Sequence, residues 1–115
     1  MTIPPEISTL IKRLQRELEE TEQEATEGLS LARAALARFP DNALLIQFFA
    51  SISNILLFVE TYKGIIQTTA ACISPADVTS LEIQEAGEDL ATLLGRVLEV
   101  KINASRLKTL LENWL

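Results

Sequence analysis

Histidine is missing from this chain of 115 residues. Its absence removes the commonest general base and the commonest transition-metal ligand together. A Ser-His-Asp triad therefore has no base, and the Glu-x-x-His sites of di-metal helical bundles cannot be built. Cysteine is nearly as scarce. Cys72 stands alone, which excludes an internal disulfide and any multi-cysteine zinc site, and an isolated thiol of this kind is expected to be buried and inert. The four glycines, at 28, 64, 87 and 95, are scattered, so no phosphate-cradling loop is present. Strand signals are absent too: there is no sustained period-2 alternation and no Asn-Gly or Asp-Gly turn. Basic charge is in deficit, with a formal net charge of −6. Nucleic acid and anionic lipid both need a basic face, so neither is expected as a partner. The opening "MTIPPEIST" has no basic stretch followed by an apolar run. No secretory signal is expected from it, and the cytosol is the expected compartment. The triplet Asn103-Ala104-Ser105 matches the glycosylation acceptor pattern, and without export it has no consequence.

What the chain does have is helix. Hydrophobic residues make up 48% and charged residues 23%, a composition that folds rather than one that stays disordered. A chain of this length forms one domain, here spanning residues 1–115. Prolines fall at 4, 5, 40 and 75 and interrupt no long segment, which suits a residue tolerated in a helix's first turn or just past its end. They divide the chain into three helices, expected at 5–39, 42–73 and 75–115. Ser74-Pro75-Ala76-Asp77 reads as the start of the third, with Ser74 as N-cap and Pro75 in the first helical position. At Phe39-Pro40-Asp41-Asn42 either Asp41 or Asn42 caps the second.

The first segment steps through Ile7, Ile11, Leu14, Leu18, Thr21, Ala25, Gly28, Ala32, Ala35 and Phe39 at alternating intervals of four and three. The third does the same through Ile83, Ala86, Leu90, Leu93, Val97, Val100, Ala104, Leu107, Leu111 and Trp114. An average spacing of 3.5 holds one seam toward a partner helix. With connections of only a few residues, neighbouring helices must run antiparallel. The expected fold is all-α: an elongated up-down-up three-helix bundle with coiled-coil-like packing. Gly87 and Gly95 weaken the third segment, and Asn103 or Ser105 offers a cap for a short fourth helix at the C-terminus. The small residues Thr21, Ala25 and Gly28 allow close backbone approach in the middle of the first.

Between Asp41 and Glu60 the second segment, "NALLIQFFASISNILLFV", carries no charge. Gln47, Ser51 and Asn54, continued by Thr61 and Thr68, form one narrow polar stripe. A bundle helix with two neighbours normally keeps a charged face in water, whereas a helix apolar nearly all round is buried nearly all round. Two neighbours cannot cover it, so something beyond the protomer is expected to. The residues assigned to that contact are Phe48, Phe49, Ile52, Ile55, Leu56, Phe58 and Val59, and the expected partner is a second copy of the chain in a two-fold dimer. Lipid is disfavoured by the polar residues and acidic flanks of the run. A cavity for an apolar ligand among the phenylalanines is the competing arrangement.

The remaining charges read as helix faces and not as chemistry. Glu20, Glu24 and Glu27 share one face of the first helix and form a solvated acidic surface, a secondary contact for a basic protein partner. Lys12, Arg13 and Arg16 are expected level with Glu82, Glu85 and Glu88. The acidic run from Glu17 to Glu27 is expected beside Arg96, Lys101 and Arg106. Arg33 and Arg38 suit the negative end of the first helix dipole. Trp114 completes the third seam as a core anchor.

Within Ala32–Ser51, "ARAALARFPDNALLIQFFAS", residues Ala35, Pro40, Asp41, Asn42 and Ala50 resemble the junction between successive tetratricopeptide repeats. Pro75 follows Pro40 at close to that family's period. The resemblance implies a helix-turn-helix corner at Pro40. The chain departs from the pattern in that the helices flanking Pro40 are about twice repeat length, and Gln84 and Glu85 stand where apolar and small residues belong. No function is carried over from it.

No residue set here points to catalysis, a cofactor or a metal. The expectation is a non-catalytic protein-protein interaction or oligomerisation module that self-associates through its second helix. The alternative is a bundle that binds an apolar ligand or serves as an accessory part of a larger enzyme or signalling assembly.

Overall fold

The computed structural model describes residues 3–114. Three helices pack side by side: α1 (Pro5–Arg38), α2 (Ala43–Ile73) and α3 (Ser80–Glu112). They form an up-down-up rod with extents of 58 × 17 × 16 Å, as the two seven-residue repeats predict. Among the described residues there is no strand and no fourth helix. α3 runs unbroken through Gly95, Asn103 and Ser105.

Each start has a local cause. Pro4 and Pro5 open α1, where missing N–H groups cost nothing and φ is already helical. Asn42 caps α2, its Oδ1 accepting from the Leu45 N–H at 3.0 Å. The start of α3 corrects the sequence reading. Thr79, not Ser74, is the N-cap, in a reciprocal capping box with Glu82: Thr79 Oγ1 accepts from the Glu82 N–H at 3.1 Å. Ser74 instead ends α2, and its hydroxyl donates back to the Ala70 carbonyl. A helix beginning at Pro75 would leave about one residue in which to reverse direction and cross the 8–10 Å between helix axes. The chain uses 74–79 for that turn.

α1 is the keel: it packs along both other helices, which meet each other much less. Its character changes along its length. Near the α2–α3 turn it offers Ile7, Ile11, Leu14 and Leu18 to Val59, Ile66, Leu90 and Val97. Beyond Thr21 it offers Ala25, Ala32 and Ala35, and the volume is made up by Leu45, Ile52, Leu107 and Leu111, with Phe48, Phe49, Leu56 and Trp114 at the margin. At Gly28 both neighbouring helices come close. A β-carbon there would stand 3.2 Å from Ile52 Cδ1 and 3.8 Å from the Lys108 backbone, so the thin seam serves tight packing.

The register between α1 and α3 follows from two contacts, Gly87 against Ile7 and Gly28 against Lys108. Lys12 and Arg13 therefore stand level with Thr92 and Leu93, beyond Glu82–Glu88, and the ion pairs expected there are not made. The acidic run is indeed opposite Lys101. Its other partners are Lys108 of α3 and Lys63 of α2, in place of Arg96 and Arg106.

Candidate interaction surface

Two features distinguish the surface: a ladder of lysines on α1's glutamates, and the outward face of α2. In the ladder, Lys101 donates to Glu17 at 2.9 Å and to Glu20, Lys108 pairs with Glu27 and with Glu24 at 3.6 Å, and Lys63 reaches across to Glu22. Glu17 is the one buried carboxylate of α1. Beside it the buried Thr21 hydroxyl donates to the Glu17 carbonyl at 2.7 Å, so both polar groups in this part of the core are satisfied.

The electrostatics show what the ladder is for. Hydrogen bonds to Glu20 and then Glu17 hold the Lys101 ammonium above the ordinary lysine value. Glu22 does the same for Lys63, and Glu27 for Lys108. In return Lys101 draws Glu20 below the usual carboxylate value, and Lys108, with help from Gln23, does so for Glu27. Lysines shifted this way hold their protons further into the alkaline range. They pin α2 and α3 to α1. The acidic face read as a docking surface for a basic protein is thus largely occupied by the chain's own lysines. Among the described residues no group of three metal-ligating side chains converges.

α2 is where the structure revises the residue assignments most. Its buried positions are Leu45, Ile52, Val59, Ile66 and Ile73, one every seven residues. Ile52 and Val59, assigned to the outer contact, are instead at 1% and 0% exposure in the centre of the protomer. Phe48, Phe49, Ile55 and Leu56 are half-buried in the seams with the neighbouring helices. Phe48 meets the Trp114 ring edge-on at 6.2 Å between centroids, and the Arg33 guanidinium lies over Phe49 at 5.9 Å. Phe58 stacks on Tyr62 and alone of the seven borders the outward face. The large side chains that face outward are others: Leu44 at 44% exposure, Ile46 at 50%, Leu57 at 67% and Ile65 at 43%. The stripe Gln47–Asn54–Thr61–Thr68 was the missed clue, because the row opposite it on a helix is Leu45–Ile52–Val59–Ile66.

α2 is long and apolar enough to cross a membrane by length and composition, with a window of mean hydropathy 1.8, and only 17% of that window is buried within the protomer. Of its two charges, Lys63 reaches Glu22 of α1, and Glu60, largely exposed, approaches Lys63 to 4.0 Å. Cys72, expected to be buried, is exposed at the end of the helix, because the inward row takes Ile73 beside it. The troughs at Cys72/Ile73/Glu82/Ala86 and at Ser51/Ile55/Asn103/Leu107 are open, and no phenylalanine lines either. Phe48 and Phe49 fill helix seams.

No protein-family model, no curated protein and no solved structure matches this chain.

Proposed function

We propose that this chain is a non-catalytic helical module that works by binding protein, and first of all a second copy of itself, through the outward face of α2. One observation carries the reading: a helix of 31 residues turns Leu44, Ile46, Leu57 and Ile65 to solvent, with Glu60 the one fully exposed charge on it. A stable monomer seldom leaves so long an apolar strip bare, since each Å² costs about 25 cal/mol to keep wet. α3 also exposes Leu81, Ile102 and Leu110, but Glu88, Asp89 and Arg96 break up its outer rows, and α1 is lined with glutamates and their lysine partners. The non-catalytic part rests on the absence of histidine and on lysines tied into ion pairs.

Gel filtration with light scattering tests it. At micromolar concentration the particle should weigh twice the 12.7 kDa of the chain. Leu57→Glu should halve that mass without loss of helicity, because Leu57 supports nothing inside the protomer. A wild-type monomer would remove the proposal.

A further inference from the structure

α1 covers one side of the seam between α2 and α3, and the other side is open. On α3 its troughs are edged by Glu82, Glu85 and Asp89 at one end and by Asn103 and Arg106 at the other. These residues belong to two adjoining rows, one through Asp89, Arg96 and Asn103, the other through Thr92, Glu99 and Arg106. All six are exposed. The lysines of α2 and α3 are held by α1's glutamates. Among the described residues Asp89, Arg96, Glu99 and Arg106 form no ion pair within the chain.

Resting on the self-association proposed above, we infer that two copies meet antiparallel through this open α2–α3 face. α2 lies over α2 and α3 over α3, with the two-fold axis crossing α3 between Val97 and Leu98. An axis perpendicular to the rods sets every row over the same row of the partner. Facing rows interdigitate, so each side chain stands level with a partner side chain from the adjoining row. At this centre Asp89 stands level with the partner's Arg106, and Arg96 with the partner's Glu99. Symmetry makes each pair twice. Glu82 and Glu85 stand level with the partner's Asn113 and the partner's Leu110, so no carboxylate meets another.

Interdigitation permits slides of a whole repeat only, and charge decides among them. Slid one way, Arg96 stands level with the partner's Arg106 and no opposite charges meet. Slid the other way, Asp89 stands level with the partner's Glu99, which offsets the contact of Glu82 with the partner's Arg106 gained there. A parallel pair would lay α3 over the partner's α2, whose rows on this face hold no charge, and all four charges would go unanswered. Exposed pairs add little affinity, and their effect is to fix the register.

The same centre suits α2. Ala86 stands beside Ile73, and Asn103 and Leu107 beside Ile55, so the axis crosses α2 near Thr61. Leu57 then stands level with the partner's Gly64, in the same outer row. A β-carbon on Gly64 would meet nothing within 4 Å inside its own protomer, which leaves that space open to the incoming leucine. The area suffices. The rod is 58 Å long and 17 Å across, so two faces overlapping along most of it hide on the order of 1,500 Å², within the range of specific dimers.

Charge reversal tests the register, with mass read by light scattering and helicity by circular dichroism. Asp89→Arg and Arg106→Asp each set like charges together, and each should weaken the dimer at least about tenfold without loss of helix. Mixing the two variants should restore the wild-type Kd in a mixed dimer, because the two positions lie too far apart on one helix to pair within a chain. In a Cys72→Ser background, Thr61→Cys should crosslink to itself on mild oxidation. The native Cys72 thiols, about 33 Å apart by helical rise, should not. A dimer indifferent to both reversals, or not restored by mixing, overturns the register and leaves self-association standing. A dimer that crosslinks through Cys72, or fails to crosslink through Thr61→Cys, overturns the antiparallel arrangement. A wild-type monomer, including one that sediments with phosphatidylcholine vesicles, overturns both proposals.

Discussion

Lys101 Nζ lies 2.9 Å from Glu17 Oε2, and Glu17 is a carboxylate that α3 covers almost completely. The pair joins residues at nearly opposite ends of the sequence and sets the height at which α3 stands against α1. Removing Lys101 leaves Glu17 only the exposed Arg16 guanidinium, at 3.8 Å. Lys101→Met should destabilise the fold by about 1–3 kcal/mol, the usual cost of leaving a buried charged acceptor unpaired. Glu17→Gln/Lys101→Met together should cost clearly less than the two single changes summed. Urea unfolding of the four proteins reads this coupling directly, and additive effects would show that the pair is not a unit.

The glycines separate into two kinds, and stability should follow. Gly28→Leu should lower stability by several kcal/mol, because its side chain would enter the space of Ile52 Cδ1, 3.2 Å from the β-carbon position. Gly95→Ala meets open space and should raise stability by about 0.5–1 kcal/mol through helix propensity alone. Thermal melts followed by circular dichroism should show opposite signs.

The start of α3 offers a paired comparison. Thr79→Ala removes the hydroxyl that accepts from Glu82 and should cost about 1 kcal/mol. Ser74→Ala should cost little, because that hydroxyl only returns to its own helix. Equal losses on chemical denaturation would mean that Ser74 caps after all.

The pH dependence follows from the ladder, with signs set by each group. Glu20 and Glu27 are lowered in the folded chain by Lys101 and Lys108. Their contribution is present above the unfolded carboxylate value, about pH 4.3, and is lost as pH falls through the folded value. Lys63, Lys101 and Lys108 are raised. Their contribution is complete below the unfolded lysine value, about pH 10.4, and is lost as pH rises beyond it. Stability from these pairs should therefore be flat from about pH 5 to about pH 10 and fall on both sides. Added salt should shrink the acid limb, since these are exposed pairs.

How much of this was legible beforehand differs from helix to helix. α1 and α3 announce themselves because charge flanks their apolar seams, so Leu14, Leu18, Leu90 and Val97 could be placed inward from spacing alone. α2 withholds its orientation. With apolar side chains on nearly every side, Ile52 and Leu57 look alike in sequence, yet one is sealed at 1% exposure and the other open at 67%. Only the neutral stripe from Gln47 to Thr68 distinguishes them, and it does so by pointing away from the core. Position 74 failed differently. Ser74-Pro75 and Thr79-x-x-Glu82 are both sound helix starts, and local chemistry does not rank them.

Sequence by itself determined that there are three helices and that they run in antiparallel order, because periodicity and proline placement act within a few residues along the chain. Tertiary structure decided which side of α2 faces out, which lysines hold α1's glutamates, and where the turn before α3 ends. Those outcomes depend on distances between helices, and a heptad pattern carries no term for the gap that a neighbour has to close.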